Sequence, residues 1–141
     1  MRSLWRSRIG VIAVAVAMLT GCGGAMQPEE LSRSVQSLAS SAAEGALLAQ
    51  GVAEDRTKQT FVRAHARDLG ETVEHEAEKL NDATAHGAVA TDKASAIDLA
   101  DRISEQLGQL QTAPDDRAGA RRAGDALTAL AEEATRLAEG S

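Results

Sequence analysis

The 141-residue chain contains one cysteine, one phenylalanine, one tryptophan, two prolines and no tyrosine. With Cys22 as the single cysteine, no intramolecular disulfide can form. The interleaved aromatic and basic residues typical of nucleic-acid binding are absent. Apolar residues do not alternate with a period of two, so no strand is predicted. The apolar run at residues 9–19 has 11 residues, whereas a membrane-spanning helix needs about 20.

The residues around that run are typical of a targeting segment. A positively charged start precedes it, formed by Arg2, Arg6 and Arg8. Small residues follow it, directly before the cysteine. This order resembles the signal peptide of bacterial lipoproteins, whose processing site, the lipobox, would consist here of Leu19, Thr20, Gly21 and Cys22.

The resemblance implies that signal peptidase II recognises Leu19, Thr20 and Gly21 and removes residues 1–21. Cys22 would then carry a thioether-linked diacylglycerol and an N-acyl chain. Two or three lipid chains anchor a protein stably, whereas one chain binds only marginally. Two alternatives are a permanent membrane helix, for which the apolar run is short, and ordinary secretion with Cys22 as a free thiol.

A lipidated chain is expected at the extracytoplasmic face of a membrane. Gly23, and not an aspartate, follows the cysteine, which in cells with two membranes resembles the pattern for outer-membrane delivery. Twelve arginines against three lysines, with many alanines and glycines, suggest a GC-rich genome. The composition therefore favours the outer face of a single cell membrane.

The sequence that remains after removal of residues 1–21 predicts a short tether at residues 22–27 and one domain at residues 28–141. Without residues 1–21 the chain has 12 basic and 21 acidic side chains, a formal charge of −9. Such a domain is not expected to bind nucleic acid or anionic headgroups. Leu, Ile, Val and Phe make up only 20 of its 120 residues, which predicts a thin core supplemented by alanine.

Periodicity of 3.6 residues predicts four helices, at about 28–53, 57–83, 92–112 and 114–139. Pro28 and Pro114, each followed by acidic residues, are good helix-start signals, and Thr57 and Thr91 are candidate N-caps. Residues 42–48 are apolar nearly all round and are expected to be the most buried section. The predicted fold is all-α, a small alanine-rich antiparallel bundle of three to four helices.

His65 and Glu76 fall on the apolar stripe of the second helix and are candidate metal or network residues. Di-iron bundles use Glu-x-x-His pairs, and this sequence contains none. The alternative is that both side chains lie at the edge of the core and reach water. No cofactor is predicted.

Residues 43–69 also resemble one helical hairpin of secreted ferritin-like domains of unknown function. Lys58 and Phe61 match the Lys-x-x-Phe turn, and Asp68 matches the acidic position of an acidic-histidine pair. Leu69 stands where that family has the histidine, which removes most of the metal inference.

Three further patterns have plain explanations. The acidic run from Glu71 to Asp82 could bind calcium or a cationic partner, but Arg67, Glu71, His75 and Lys79 form an i,i+4 series typical of a solvated helix face. The segment 119–124 lacks the ending of a phosphate loop and is expected inside a helix. A serine cluster is interpreted as an exposed helix face: Ser32, Ser34, Ser37, Ser40 and Ser41.

No catalytic group of residues stands out, so the sequence predicts a non-enzymatic lipoprotein. The expected partners are the membrane, through lipid on Cys22, and another protein or further copies of the same chain. The alternative hypothesis is a bundle that binds a small ligand or metal at the membrane surface, using His65 and Glu76.

Overall fold

The structure, a computed structural model, describes residues 24–140. Four helices make up most of this part, and no strand occurs in it. They are α1 at Pro28–Ala53, α2 at Gln59–Asp82, α3 at Gly87–Thr112 and α4 at Arg117–Gly140. The predicted all-α class is confirmed. The lipobox residues 19–22 lie outside the described part.

The helices run up-down-up-down and pack as two close pairs, α1 with α4 and α2 with α3. In the first pair, Ser32 near the start of α1 donates a hydrogen bond of 3.2 Å to the carbonyl of Ala138 near the end of α4. At the other end, a Cβ on Gly124 would lie 3.3 Å from Cβ of Ala49. The pair is therefore antiparallel, and its small residues allow close approach.

The two pairs join through α1 with α2, α3 with α4, and a diagonal contact between α1 and α3, whereas α2 and α4 do not touch. Consequently α1 is surrounded by three helices. Its core positions include the fully buried Leu31, Val35 and Leu38. Alanines such as Ala42 and Ala100 are fully buried as well, as a core short of large apolar residues requires.

The start of α1 agrees with the prediction, and the start of α4 is shifted. Pro28 occupies the first turn of α1, and Gln27 and Glu30 form a capping box before it. Asp116 precedes α4, and its Oδ1 accepts a hydrogen bond of 2.9 Å from the amide of Gly119. Because Asp116 acts as the cap, α4 begins three residues later than predicted from Pro114.

The predicted start of the third helix is wrong by five residues. It was expected at Thr91 and Asp92 after a loop, but α3 begins at Gly87. Gly87 has a φ of 57°, in the left-handed region that glycine adopts without a Cβ clash. The added turn packs Val89 against the core. Lys93 in the next turn donates a hydrogen bond of 2.7 Å to the carbonyl of Ala83.

The predicted N-cap of the second helix is also wrong. Lys58, and not Thr57, precedes α2, and its side chain makes no capping hydrogen bond. The Thr57 hydroxyl lies instead against Gly51, whose missing side chain leaves room for it. The turn between α1 and α2 is tied to the start of α4 by an ion pair between Asp55 and Arg117.

Two of the five clustered serines are buried, contrary to the expected exposed face. Ser34 is fully buried and Ser41 nearly so, because α1 is covered by three neighbours over a wide arc. The Ser34 hydroxyl has no hydrogen-bond partner. Burying an unpaired hydroxyl is unfavourable, so Ser34 weakens the core in which it lies.

Replacing Ser34 by alanine should therefore raise the free energy of unfolding by about 1 kcal/mol, since an unpaired buried polar group costs about 1–3 kcal/mol. Urea denaturation followed by circular dichroism measures the change. Ser40→Ala, on the exposed side of the same helix, is the control and should change stability by less than about 0.5 kcal/mol. A loss of stability in Ser34→Ala would contradict the assignment of an unpaired hydroxyl.

The section 42–48 of α1 is only partly buried, although it was expected to be the most buried one. Ala42, Gly45 and Leu48 face the core, whereas the side chain of Leu47 is 69% exposed. Leu47 lies nine residues after Leu38, which at 100° per residue is the opposite side of the helix. A helix covered on three sides still presents a fourth side to solvent, and Leu47 lies there.

Candidate functional site

The described chain begins close to the predicted lipidation position. Met26 is buried in the core, and its amide donates a hydrogen bond of 2.7 Å to the carbonyl of Thr84 in the turn between α2 and α3. Gln27 then begins the cap of α1. The bundle is thus already fixed at Met26, inside the segment predicted as a tether.

This fixation shortens the link between Cys22 and the bundle. Met26 is the fourth residue after Cys22, and these four steps span at most about 14 Å at about 3.5 Å per residue. The end of the bundle that holds Met26 also holds the α2–α3 turn and the C-terminal end of α4. We call it the tether end, and the opposite end, with the α1–α2 and α3–α4 turns, the distal end.

His65 lies at the surface between α1 and α2, not in a core site. Its Nε2 is 2.8 Å from Oε1 of Glu44 on α1. Its ring stacks on Phe61 one turn earlier, with ring centroids 5.3 Å apart and planes 19° apart. The three side chains form a link between the two helices near the distal end.

Glu76 is not part of that link. It follows His65 by 11 residues on the same helix, which places the two about 16 Å apart along the axis. Its side chain is largely covered, and Lys79 Nζ lies 3.5 Å from its carboxylate. The structure therefore does not bring His65 and Glu76 together. Among the described residues, no group of three or more His, Cys, Asp or Glu could hold a metal ion.

Apart from the largely covered Glu76, the acidic run on α2 is a solvated face, as its spacing indicated. Glu71, Glu74 and Glu78 are exposed. However, the expected i,i+4 series of Arg67, Glu71, His75 and Lys79 forms no ion pairs within the described part of the chain. Lys79 pairs instead with Glu76, three residues before it. The glycine-rich segment 119–124 lies inside α4, also as expected.

Charge pairs between helices are few in the described part and lie at the surface. Arg102 on α3 contacts Glu133 on α4 at 3.1 Å and Asp98 on its own helix at 3.3 Å. Hydrogen bonds to Glu133 and Asp98 raise the pKa of the Arg102 guanidinium above its usual value. This contact joins the two helical pairs, and it is a structural contact rather than a reactive group.

One surface combines an exposed apolar side chain with a cavity. On the outer side of the α1–α4 seam, Leu47 borders a depression of about 430 Å³. Small residues line it, namely Ala46, Ala53, Ala120 and Gly124. A second depression, of about 510 Å³, lies against Ala39, Ala43 and Ala131 on the same two helices. We call these two depressions the α1–α4 groove.

This groove was not among the predicted sites. Leu47 belongs to the section 42–48 predicted to be buried, although its angular position relative to Leu38 indicates the outer face. The groove itself needs the pairing of α1 with α4, which periodicity along one helix does not reveal.

Comparison of the chain with protein-family models, with curated proteins and with solved structures finds no match. Within residues 24–140, no helix is long and apolar enough to cross a bilayer.

Proposed function

We propose that this protein is a lipid-anchored lipoprotein of the extracytoplasmic membrane face that acts through protein–protein contact. The observation that carries the proposal is the lipobox ending at Cys22, placed four residues before the first core residue of a helical bundle. A lipid on Cys22 would hold the tether end within about 14 Å of the point of attachment.

The described surface supports contact with a protein more than chemistry on a small molecule. Its carboxylates and histidines do not gather into a metal-binding group among residues 24–140. The acidic domain is repelled by anionic headgroups, so the lipid on Cys22 is expected to provide the membrane attachment. The helices rise about 36–39 Å from the tether end, at 1.5 Å per residue, and present their sides to neighbouring proteins.

Labelling of living cells with an alkyne analogue of palmitate tests the anchor. The wild-type chain should carry the label and Cys22→Ser should lose it entirely, because serine cannot form the thioether that processing requires. Gly24→Ser, two residues later, is the matched control and should stay labelled. An unlabelled wild-type chain, or a labelled Cys22→Ser chain, would contradict the proposal.

A further inference from the structure

We propose that the α1–α4 groove is a contact surface between two copies of this chain, with Leu47 of each copy packed into the groove of the other. This inference rests on the proposed function and names the partner and the surface. It is carried by three properties of the groove: an apolar side chain beside a cavity that fits it, the absence of net charge, and the direction of the helices.

Leu47 is the most exposed large apolar side chain of the described part, and Phe61, at 55%, is the other. The Phe61 ring is partly covered by its stacking on His65. No such contact covers Leu47, whose side chain has no polar tip. A single exposed leucine is ordinary. Here it borders a depression large enough for a second leucine side chain, lined by alanine and glycine together with five polar or charged side chains.

The groove lacks the negative charge that makes most of the surface repel a second copy of this acidic chain. The mature chain has a formal charge of −9, so most of its surface repels another copy. Between Arg33 and Glu54, however, α1 carries a single charged residue, Glu44, and this side chain contacts His65 on the side of α2. The outward positions of α1 are uncharged: Gln36, Ser40, Ala43, Leu47 and Gln50.

The α4 side of the groove is also balanced. It carries two arginines and two carboxylates, Arg121, Asp125, Glu132 and Arg136. None of these four forms an ion pair within the described part of the chain. Glu54, at the end of the groove, is paired with Arg56. A second acidic copy is therefore not repelled here, and neither a strongly basic nor a strongly acidic partner is favoured.

The direction of the helices allows both copies to remain in one membrane. A two-fold axis parallel to the helices keeps both tether ends on the same side and places α1 of each copy against α4 of the other. Since Ala49 faces Gly124 across the antiparallel seam, Leu47 is level with Ala126. Leu47 of one copy then meets the groove of the other near Gly124, and the charged residues of α4 meet the α1 side chains Gln36, Ser40 and Gln50, which can form hydrogen bonds to them. With these partners the surface can pair with itself, as a two-fold dimer requires.

Membrane attachment favours this contact further. Two copies tethered within about 14 Å of one bilayer are confined to a thin layer, which raises their effective concentration. A contact too weak to form between free domains can then form between anchored ones.

Disulfide trapping tests the geometry in the full chain. Two differently tagged chains, one with Leu47→Cys and one with Thr128→Cys, are co-expressed, and their membranes are oxidised. We expect a disulfide between the two tagged chains, because Thr128 lines the groove next to the level of Leu47. Phe61→Cys with Thr128→Cys is the matched control and should give none. Failure of the first pair to cross-link, or a disulfide from position 47 to another protein, would overturn the inference.

Oxidation of wild-type membranes separates this inference from the proposed function. With Cys22 lipidated, the wild-type chain has no free thiol and should give no disulfide dimer. A wild-type dimer would contradict lipidation, whatever position 47 does. If the wild-type chain forms no disulfide dimer and Leu47→Cys does not cross-link to Thr128→Cys, the proposed dimer is overturned and the lipid anchor is not.

Chemical cross-linking in intact membranes gives a second readout, because the copies stay anchored there. The wild-type chain should cross-link as a dimer, and Leu47→Glu should lower the cross-linked fraction at least about tenfold, because a charge replaces the buried leucine. Phe61→Glu, an equal change at the other exposed apolar residue, should leave the dimer intact. A monomeric wild-type chain, or equal loss in both variants, would contradict the proposed surface.

Discussion

Replacing Leu107 by alanine should lower the free energy of unfolding by about 2–5 kcal/mol, the range for leucine-to-alanine changes in protein cores. Leu107 on α3 is almost fully buried and meets α1 at Gly45, beside Leu127 of α4. The substitution thus removes contacts between three helices at once. It also leaves a cavity, and because the core has few large side chains, little can move in to fill it. Since domains of this kind are stable by about 5–15 kcal/mol in total, the variant should be close to unfolding.

Urea denaturation of the chain without its signal peptide, followed by circular dichroism, measures this change. Leu47→Ala is the matched control, because the same atoms are removed from a side chain that is 69% exposed. In the free domain that control should change stability by less than about 0.5 kcal/mol. Equal losses in the two variants would contradict the packing described here.

Alanine at two glycines should have opposite effects on stability. At Gly45 a Cβ would lie 2.7 Å from Cδ2 of Leu107 and 3.1 Å from Cδ1 of Leu127. Both leucines would have to shift inside the core, and overpacking of this kind costs about 1–3 kcal/mol. At Gly70, in the interior of α2, a Cβ would meet nothing within 4 Å. There alanine should gain about 1 kcal/mol from its better helix propensity.

The difference between the two variants should therefore be about 2–4 kcal/mol, with Gly45→Ala the less stable. Denaturation midpoints of both variants and the wild-type chain, measured side by side, provide the test. If Gly45→Ala were as stable as Gly70→Ala, α1 could not lie as close to α3 and α4 as the structure places it.

Helix number and most helix ends could be predicted because their causes are local. The apolar period of 3.6 residues and Pro28 predicted the bounds of α1 correctly. The start of α3 could not be predicted in the same way. Thr91 and Asp92 are good local caps, but α3 begins before them, where the partly buried Val89 packs against the core and Gly87 adopts a left-handed conformation. Tertiary packing decided that boundary.

The exposure of side chains along α1 shows a second limit of prediction from the sequence. Periodicity identifies the centre of an apolar stripe: Leu31, Val35 and Leu38 share one face of a helix by their spacing, and all three are fully buried. The width of the buried arc depends on how many helices cover it. With three neighbours around α1, Ser34 is buried while Leu47, opposite Leu38, is left at the surface.

The candidate site residues also differ in whether the sequence alone can reveal them. The proximity of His65 to Glu44 joins two helices and has no signal in the spacing of either one. The lipobox is readable because its recognition depends on a short contiguous stretch, Leu19 to Cys22. Those four residues lie outside the described part, and the assignment of lipid to Cys22 remains a prediction.

The intact mass of the protein extracted from cell membranes tests the central claim most directly. A lipid-anchored protein should show a chain that begins at Cys22, lacks Trp5 and is heavier than residues 22–141 by a diacylglycerol and an N-acyl chain. A mass equal to the unmodified chain from Cys22, or a chain that still contains Trp5, would contradict the account.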